Sequence, residues 1–182
     1  MNGGHAKMAD WWISHLESKD PKEIIEIGCG GWRNAWALLK KYPESKVTAI
    51  DYSEVSVEKA ASYNKKEIKN WRCIVQHWDV SKLEFPEEKF DLATAFETIY
   101  FWPWLEDCFK QVAKVLKLWA EFLIVNECDG ADKEWLKFEK IIDWMKCYTV
   151  EQIEDTLKKA GFSEVKYYRY ENKPWITVVA KK

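Results

Sequence analysis

The chain has 182 residues, 47% of them apolar and 32% charged, with a net charge of −2. That length suits one domain with a sizeable core, and the near-neutral charge excludes the basic footprint of a protein that binds nucleic acid or an anionic membrane surface. No apolar run approaches the roughly 20 residues of a membrane span, and Met1-Asn2-Gly3-Gly4-His5 does not read as a signal peptide, so a cytoplasmic protein is expected.

The N-terminal stretch 5–18 reads as an amphipathic helix with Met8, Trp11 or Trp12, His15 and Leu16 on one face, broken by Asp20-Pro21. Ile24-Ile25-Glu26-Ile27 is a strand, Gly28-Cys29-Gly30-Gly31 a glycine turn, and 33–41 a helix that stops before Pro43. Val47-Thr48-Ala49-Ile50 is a second strand ending on Asp51. Ser53 is placed to cap a helix over about 54–68. A third strand over 72–77 ends on Trp78-Asp79-Val80.

Phe90 to Phe96 reads as a buried strand ending at Glu97. Leu105, Phe109, Val112 and Leu116 mark a helix, and Phe122 to Val125 the next strand. Trp135, Phe138, Ile142 and Met145 predict an extra helix over about 132–146. Thr149 with Gln152 forms a capping box for a helix ending at Gly161. Two strands, about 163–170 and 175–180, finish the chain as a hairpin. Alternating strands and helices closed by a hairpin imply an α/β fold: a doubly wound, mostly parallel seven-stranded sheet with an antiparallel C-terminal edge pair. No linker, repeat or low-complexity tract divides it, so residues 1–182 are read as a single domain.

The strand, glycine turn, helix and strand from Ile24 to Asp51 carry the chemistry. Glycines let the backbone approach a nucleoside-containing ligand at the carboxyl end of the first strand, and an acid at the tip of the second can accept from two ribose hydroxyls. A nicotinamide dinucleotide is the poorer fit, because the third small residue of its fingerprint falls on Arg33. Cysteines 29, 73, 108, 128 and 147 are scattered and odd in number, and His5, His15 and His77 have no ligand spacing. Neither a metal site nor a disulfide is expected.

These motifs, from about residue 20 onward, resemble the class I S-adenosylmethionine-dependent methyltransferases of the small-molecule type. The family's acid-x-Gly-x-Gly-x-Gly motif corresponds to Glu26-Ile27-Gly28-Cys29-Gly30-Gly31-Trp32. The resemblance implies S-adenosylmethionine as cofactor, with Asp51 on its ribose, Tyr52 and Val80 against the adenine, Asp79 on the adenine amine, and Glu26, Gly28, Cys29, Gly30 and Phe96 around the rest. It places Glu97 and Tyr100 at the substrate pocket, while Phe101 is read as core. The run Tyr100-Phe101-Trp102-Pro103-Trp104 could wall that pocket. The N-terminal helix and the segment 128–148 resemble elements that close over cofactor and substrate. The implied reaction is an in-line attack on a sulfonium methyl, for which alignment matters more than any fixed catalytic residue.

One compositional feature departs from this pattern. The chain holds 12 Trp and only 7 Gly, against a usual Gly share of about 7%. Trp32 takes the third glycine of the first motif, Trp78 precedes Asp79 where the family has small residues, and Leu118-Trp119-Ala120 replaces a common Pro-Gly-Gly turn. Trp36, Trp71, Trp104 and Trp144 also fall at helix or turn positions. Because Trp and Gly codons lie one base apart, a series of Gly-to-Trp changes is a natural suspicion. Two readings follow: an active methyltransferase acting on a small molecule, or a methyltransferase-fold protein with an impaired cofactor site.

Overall fold

The computed structural model describes residues 11–30 and 33–182. Its centre is a seven-stranded sheet of order β3-β2-β1-β4-β5-β7-β6, with β1 (Glu23–Ile27), β2 (Lys46–Asp51), β3 (Cys73–His77), β4 (Phe90–Phe96), β5 (Leu116–Asn126), β6 (Glu164–Arg169) and β7 (Ile176–Lys181). The first five strands are parallel, and β7 runs antiparallel to both β5 and β6. This is the expected doubly wound sheet with its edge hairpin.

The inner strands are apolar on both faces, so each face needs its own cover. One cluster packs Ile25, Ile27, Phe90, Phe109, Phe122 and Ile153 on one side, and another packs Trp12, Ile24, Leu38, Val47, Leu92 and Leu123 on the other. Helices α1 (Arg33–Lys41), α2 (Glu54–Tyr63), α3 (Lys65–Lys69), α4 (Leu105–Val115), α5 (Lys133–Phe138) and α6 (Val150–Lys159) connect the strands. The strand order reverses at β1, between β2 and β4. The loops after β1 and β4 therefore diverge and leave a crevice at the carboxyl ends of the strands, which is where such sheets bind ligands.

Several local expectations are met. Ser53 caps α2 by accepting the Ser56 amide. Thr149 and Gln152 close a reciprocal capping box on α6.

Four boundaries differ from the sequence reading. The helix expected over 54–68 is split at Asn64, whose backbone leaves the helical range and whose side-chain amide donates to the Ala60 carbonyl. Leu116, read as the last apolar position of a helix, is the first residue of β5, paired with Phe90. The helix expected over 132–146 ends at Phe138, because the Glu139 carboxylate turns back to accept the Cys147 amide. Of the N-terminal helix, residues 5–10 lie outside the described residues, and the described part is helical only at 11–13. The chain leaves the helix there because buried Glu121 on β5 accepts the amides of Glu17 and Ser18.

Candidate functional site

The site starts from the turn after β1. The Gly28 and Cys29 amides both donate to the Ile50 carbonyl, at 2.8 and 3.0 Å, which folds the turn back over the end of β2. Gly28 has φ +78°, and a Cβ there would meet Thr98 Oγ1 at 2.5 Å, so only glycine fits on both counts. The Gly30 amide donates to Asp51 Oδ2 at 2.8 Å, and the Ser53 amide donates to Oδ1 at 2.8 Å. Asp51 thus ties the tip of β2 to the glycine turn. A Cβ on Gly30 would make only ordinary contact, so that position is not forced in the same way.

Next along the edge, the Trp78 amide donates to the Asp51 carbonyl at 3.0 Å. Asp79 Oδ1 accepts the Ser81 amide at 2.8 Å in a tight turn. No helix follows β3 for Asp79 to cap. Trp78 stacks on Phe85 with ring centroids 4.9 Å apart, and its indole N–H donates to the Lys82 carbonyl.

A cavity of about 600 Å³ opens over this edge, within the usual range for small-molecule sites. Gly28, Asp51, Tyr52, Trp78, Asp79 and Val80 line it after β1, β2 and β3, Glu97 and Thr98 after β4, and Phe101, Trp102, Trp104 and Trp144 from the segments that follow. One cavity therefore joins five of the residues expected at the cofactor to Glu97. Glu97 sits at the end of β4 with φ +57°, a conformation that costs a non-glycine residue strain and that clusters at functional positions. Its carboxyl accepts the Glu127 amide and the Tyr100 hydroxyl. Burial first, then the neighbouring Glu127 charge, pushes it up to about 8, with those two hydrogen bonds offsetting part of the rise.

Five of the expected residues are outside the cavity lining: Gly30, whose amide is turned onto Asp51, and Glu26, Cys29, Phe96 and Tyr100. Glu26 is fully buried under the glycine turn, its Oε2 accepting from the Thr94 hydroxyl. Burial raises this carboxyl to about 8, against hydrogen bonds with Thr94 and Asn34. Cys29 is buried among core residues, and burial raises its thiol. Phe96 points to the opposite face of the sheet, with its ring 6.3 Å from that of Trp12. Tyr100 is 2% exposed and stands behind Glu97, where its hydroxyl also accepts the Cys128 amide. Phe101, read as core, is 48% exposed and lines the cavity instead. The alternation of a short 3-10 turn over Ile99–Phe101 exchanges the two rings.

Thr98, Ile27 and Ile50 belong to the lining and went unnoticed in the sequence. Thr98 meets Gly28 only through the pairing of β1 with β4, so no local pattern signals it. Trp119 stands 78% exposed on β5, outside the cavity lining. Trp32 lies outside the described residues.

These residues fit a nucleoside-bearing cofactor: a carboxylate at the strand tip and a glycine cradle with no room for a side chain. The comparisons agree. A family model described as a methyltransferase domain matches residues 24–118. The chain is 25% identical over 153 residues to the sterol 24-C-methyltransferase of Kluyveromyces lactis, covering 79% of this chain and 41% of that protein. The chain thus spans less than half the length of the curated relatives it matches. Among solved structures it superposes on an S-adenosylmethionine-dependent methyltransferase from Mesorhizobium loti with a TM-score of 0.76 and 19% identity, covering 96% and 98% of the two chains. It also superposes on phosphoethanolamine N-methyltransferase 2 of Haemonchus contortus, solved with S-adenosyl-L-methionine, with a TM-score of 0.82 and 16% identity, covering 97% of this chain and 52% of that one. With the family model matching more than half of its length, the chain belongs to the S-adenosylmethionine-dependent methyltransferases.

Proposed function

We propose that the protein transfers the methyl group of S-adenosylmethionine to a small molecule held over Glu97. The observation that carries this reading is the single cavity running from Asp51 and Asp79 to Glu97. In it Asp51 accepts from ribose hydroxyls, Asp79 and Val80 flank the adenine, and Gly28 lets the ligand lie against the backbone. Bound S-adenosylmethionine supplies an electrophilic methyl, so the protein's part is alignment and exclusion of water.

Glu97 then holds or receives a proton at the acceptor end. A carboxyl raised to about 8 changes charge near neutral pH, as a group handling a hydroxyl or ammonium proton needs to do. The aromatic wall of Phe101 and Trp102 suits an acceptor with a substantial apolar body. The segment 128–148 packs Met145 and Cys147 onto Tyr100 and closes the acceptor end. Among the described residues no helix is long and apolar enough to cross a membrane. Five free, buried thiols suit a reducing compartment, and we place the protein in the cytoplasm.

Isothermal titration with S-adenosylhomocysteine tests the reading. Micromolar binding by the chain as written, weakened at least about tenfold by Asp51→Ala (~1.4 kcal/mol), is expected. Failure of both this chain and its Trp32→Gly version to bind refutes it.

A further inference from the structure

Seven described residues other than glycine have a left-handed backbone: Glu88, Glu97, Asn172 and four tryptophans. The tryptophans are Trp71 (φ +59°), Trp104 (+44°), Trp119 (+66°) and Trp144 (+68°). Left-handed φ drives Cβ against the following carbonyl, so glycine adopts it freely, asparagine tolerates it, and a bulky residue there is a true outlier. Trp supplies 12 of the 182 residues yet four of these seven positions.

The local geometry asks for glycine by separate routes. After α3, the Trp71 amide donates to the Ile68 carbonyl and the Arg72 amide to the Glu67 carbonyl. That is a Schellman ending with Trp71 at its left-handed position, where glycine is the usual residue. Trp119 lies where β5 carries extra residues between its Leu116–Phe90 and Glu121–Leu92 pairings, a bulge of the kind glycine opens. Trp144 is the third residue of a turn closed by the Met145 amide on the Ile142 carbonyl, the position that requires φ > 0 in a type II turn. Trp104 begins α4 with φ +44° and ψ +67°.

Nor does packing repay the strain. The four side chains are 84, 77, 78 and 93% exposed, in the order 71, 104, 119, 144. Trp102 shows what a tryptophan that belongs looks like here: φ −76°, 7% exposed, its ring stacked 6.3 Å from Phe122 and its N–H donating to Thr98.

We infer that positions 71, 104, 119 and 144 are glycine in the protein as it works in its own cell. Trp and Gly codons differ by one base, and the triplet UGA can be read as either residue, so one difference in decoding replaces four independent mutations. The consequence for the site is direct. Trp104 and Trp144 line the acceptor end of the cavity, so the working protein has a wider mouth there and admits a bulkier acceptor than the chain as written.

Two measurements test this, and neither depends on methyl transfer. Thermal unfolding of the full chain is followed for Trp→Gly and Trp→Ala at each position, with Trp102→Gly as the contrast. Glycine at each of the four sites is expected to raise Tm by about 2 °C or more and to exceed alanine, which sheds the indole but keeps the strained Cβ. Trp102→Gly is expected to lower Tm. Glycine no better than alanine at these sites would overturn the inference. Peptide mass mapping of the protein isolated from its natural source reads the residues directly: glycine at all four supports the inference, and tryptophan at any of them overturns it there.

Discussion

Thr98 occupies the space that a side chain on Gly28 would need, its Oγ1, Cβ and Cγ2 lying 2.5, 2.7 and 2.9 Å from where that Cβ would stand. The contact joins the ends of β1 and β4, the two strands whose divergence opens the crevice. Gly28→Ala therefore meets two penalties, overlap with Thr98 and a left-handed φ. Together they cost about 2–4 kcal/mol.

Thr98→Gly in the same chain removes the overlap and leaves the φ penalty. The double variant should recover about 1–2 kcal/mol of the loss in denaturant unfolding. Strict additivity of the two changes would show that Thr98 is not what forbids a side chain at position 28.

Glu26 links stability to pH. Its folded carboxyl is raised to about 8 from the ordinary value of 4.5. Between those values the folded state keeps a proton that the unfolded chain releases, so stability falls as pH rises through the window and levels off above it. Glu97 adds a second fall with the same sign and window. Glu26→Gln should flatten the decline of Tm between pH 5 and 8 by an amount worth about 1–3 kcal/mol. A variant that tracks the parent across this range would mean that Glu26 is ionised in the folded protein.

Much of this could be read along the chain, because the strands announce themselves as apolar runs and the glycine turn stands between Ile27 and Asp51. The sheet, the capping box at Thr149 and the Ser53 cap are all local patterns. What escaped is what one segment does to another. Glu139 cuts α5 short by reaching the Cys147 amide, and Glu121 ends the N-terminal helix from across 103 residues of sequence. Tyr100 and Phe101 exchanged roles because the 3-10 turn over Ile99–Phe101 decides which ring faces the cavity, and no pattern in the aromatic run signals that turn. Trp71 and Trp144 read only as falling at helix or turn positions, and it is φ that shows what those turns require.

The Tyr100 hydroxyl donates to Glu97, a bond that favours the ionised carboxyl and so holds its proton affinity below what burial alone would set. Tyr100→Phe should therefore move the Glu97 titration to higher pH. Glu97→Gln should abolish it while leaving that of Glu26. Carbon NMR of protein labelled at the glutamate carboxyls resolves both. A Glu97 resonance that titrates near the ordinary value of 4.5 would remove the basis for giving this residue a proton-handling role.

Glu121 is 2% exposed on β5 and accepts three donors from one segment: the Glu17 amide at 3.2 Å, the Ser18 amide at 2.8 Å and the Ser18 hydroxyl. The same segment carries Trp12 and Ile13 into the core beside Phe96, and Lys166 and Lys181 hold the Glu17 carboxylate from outside. Those two ion pairs are surface-exposed and add little, so the buried acceptor does most of the fastening. Glu121→Ala leaves two amides facing a void and should cost about 2–4 kcal/mol. Glu121→Gln keeps one acceptor oxygen and should cost about half as much. Hydrogen exchange at the Glu17 and Ser18 amides separates anchoring from a general loss of stability. In the alanine variant these amides should exchange faster by a larger factor than those of β1. Equal acceleration everywhere would mean that Glu121 serves the sheet and not the N-terminal segment.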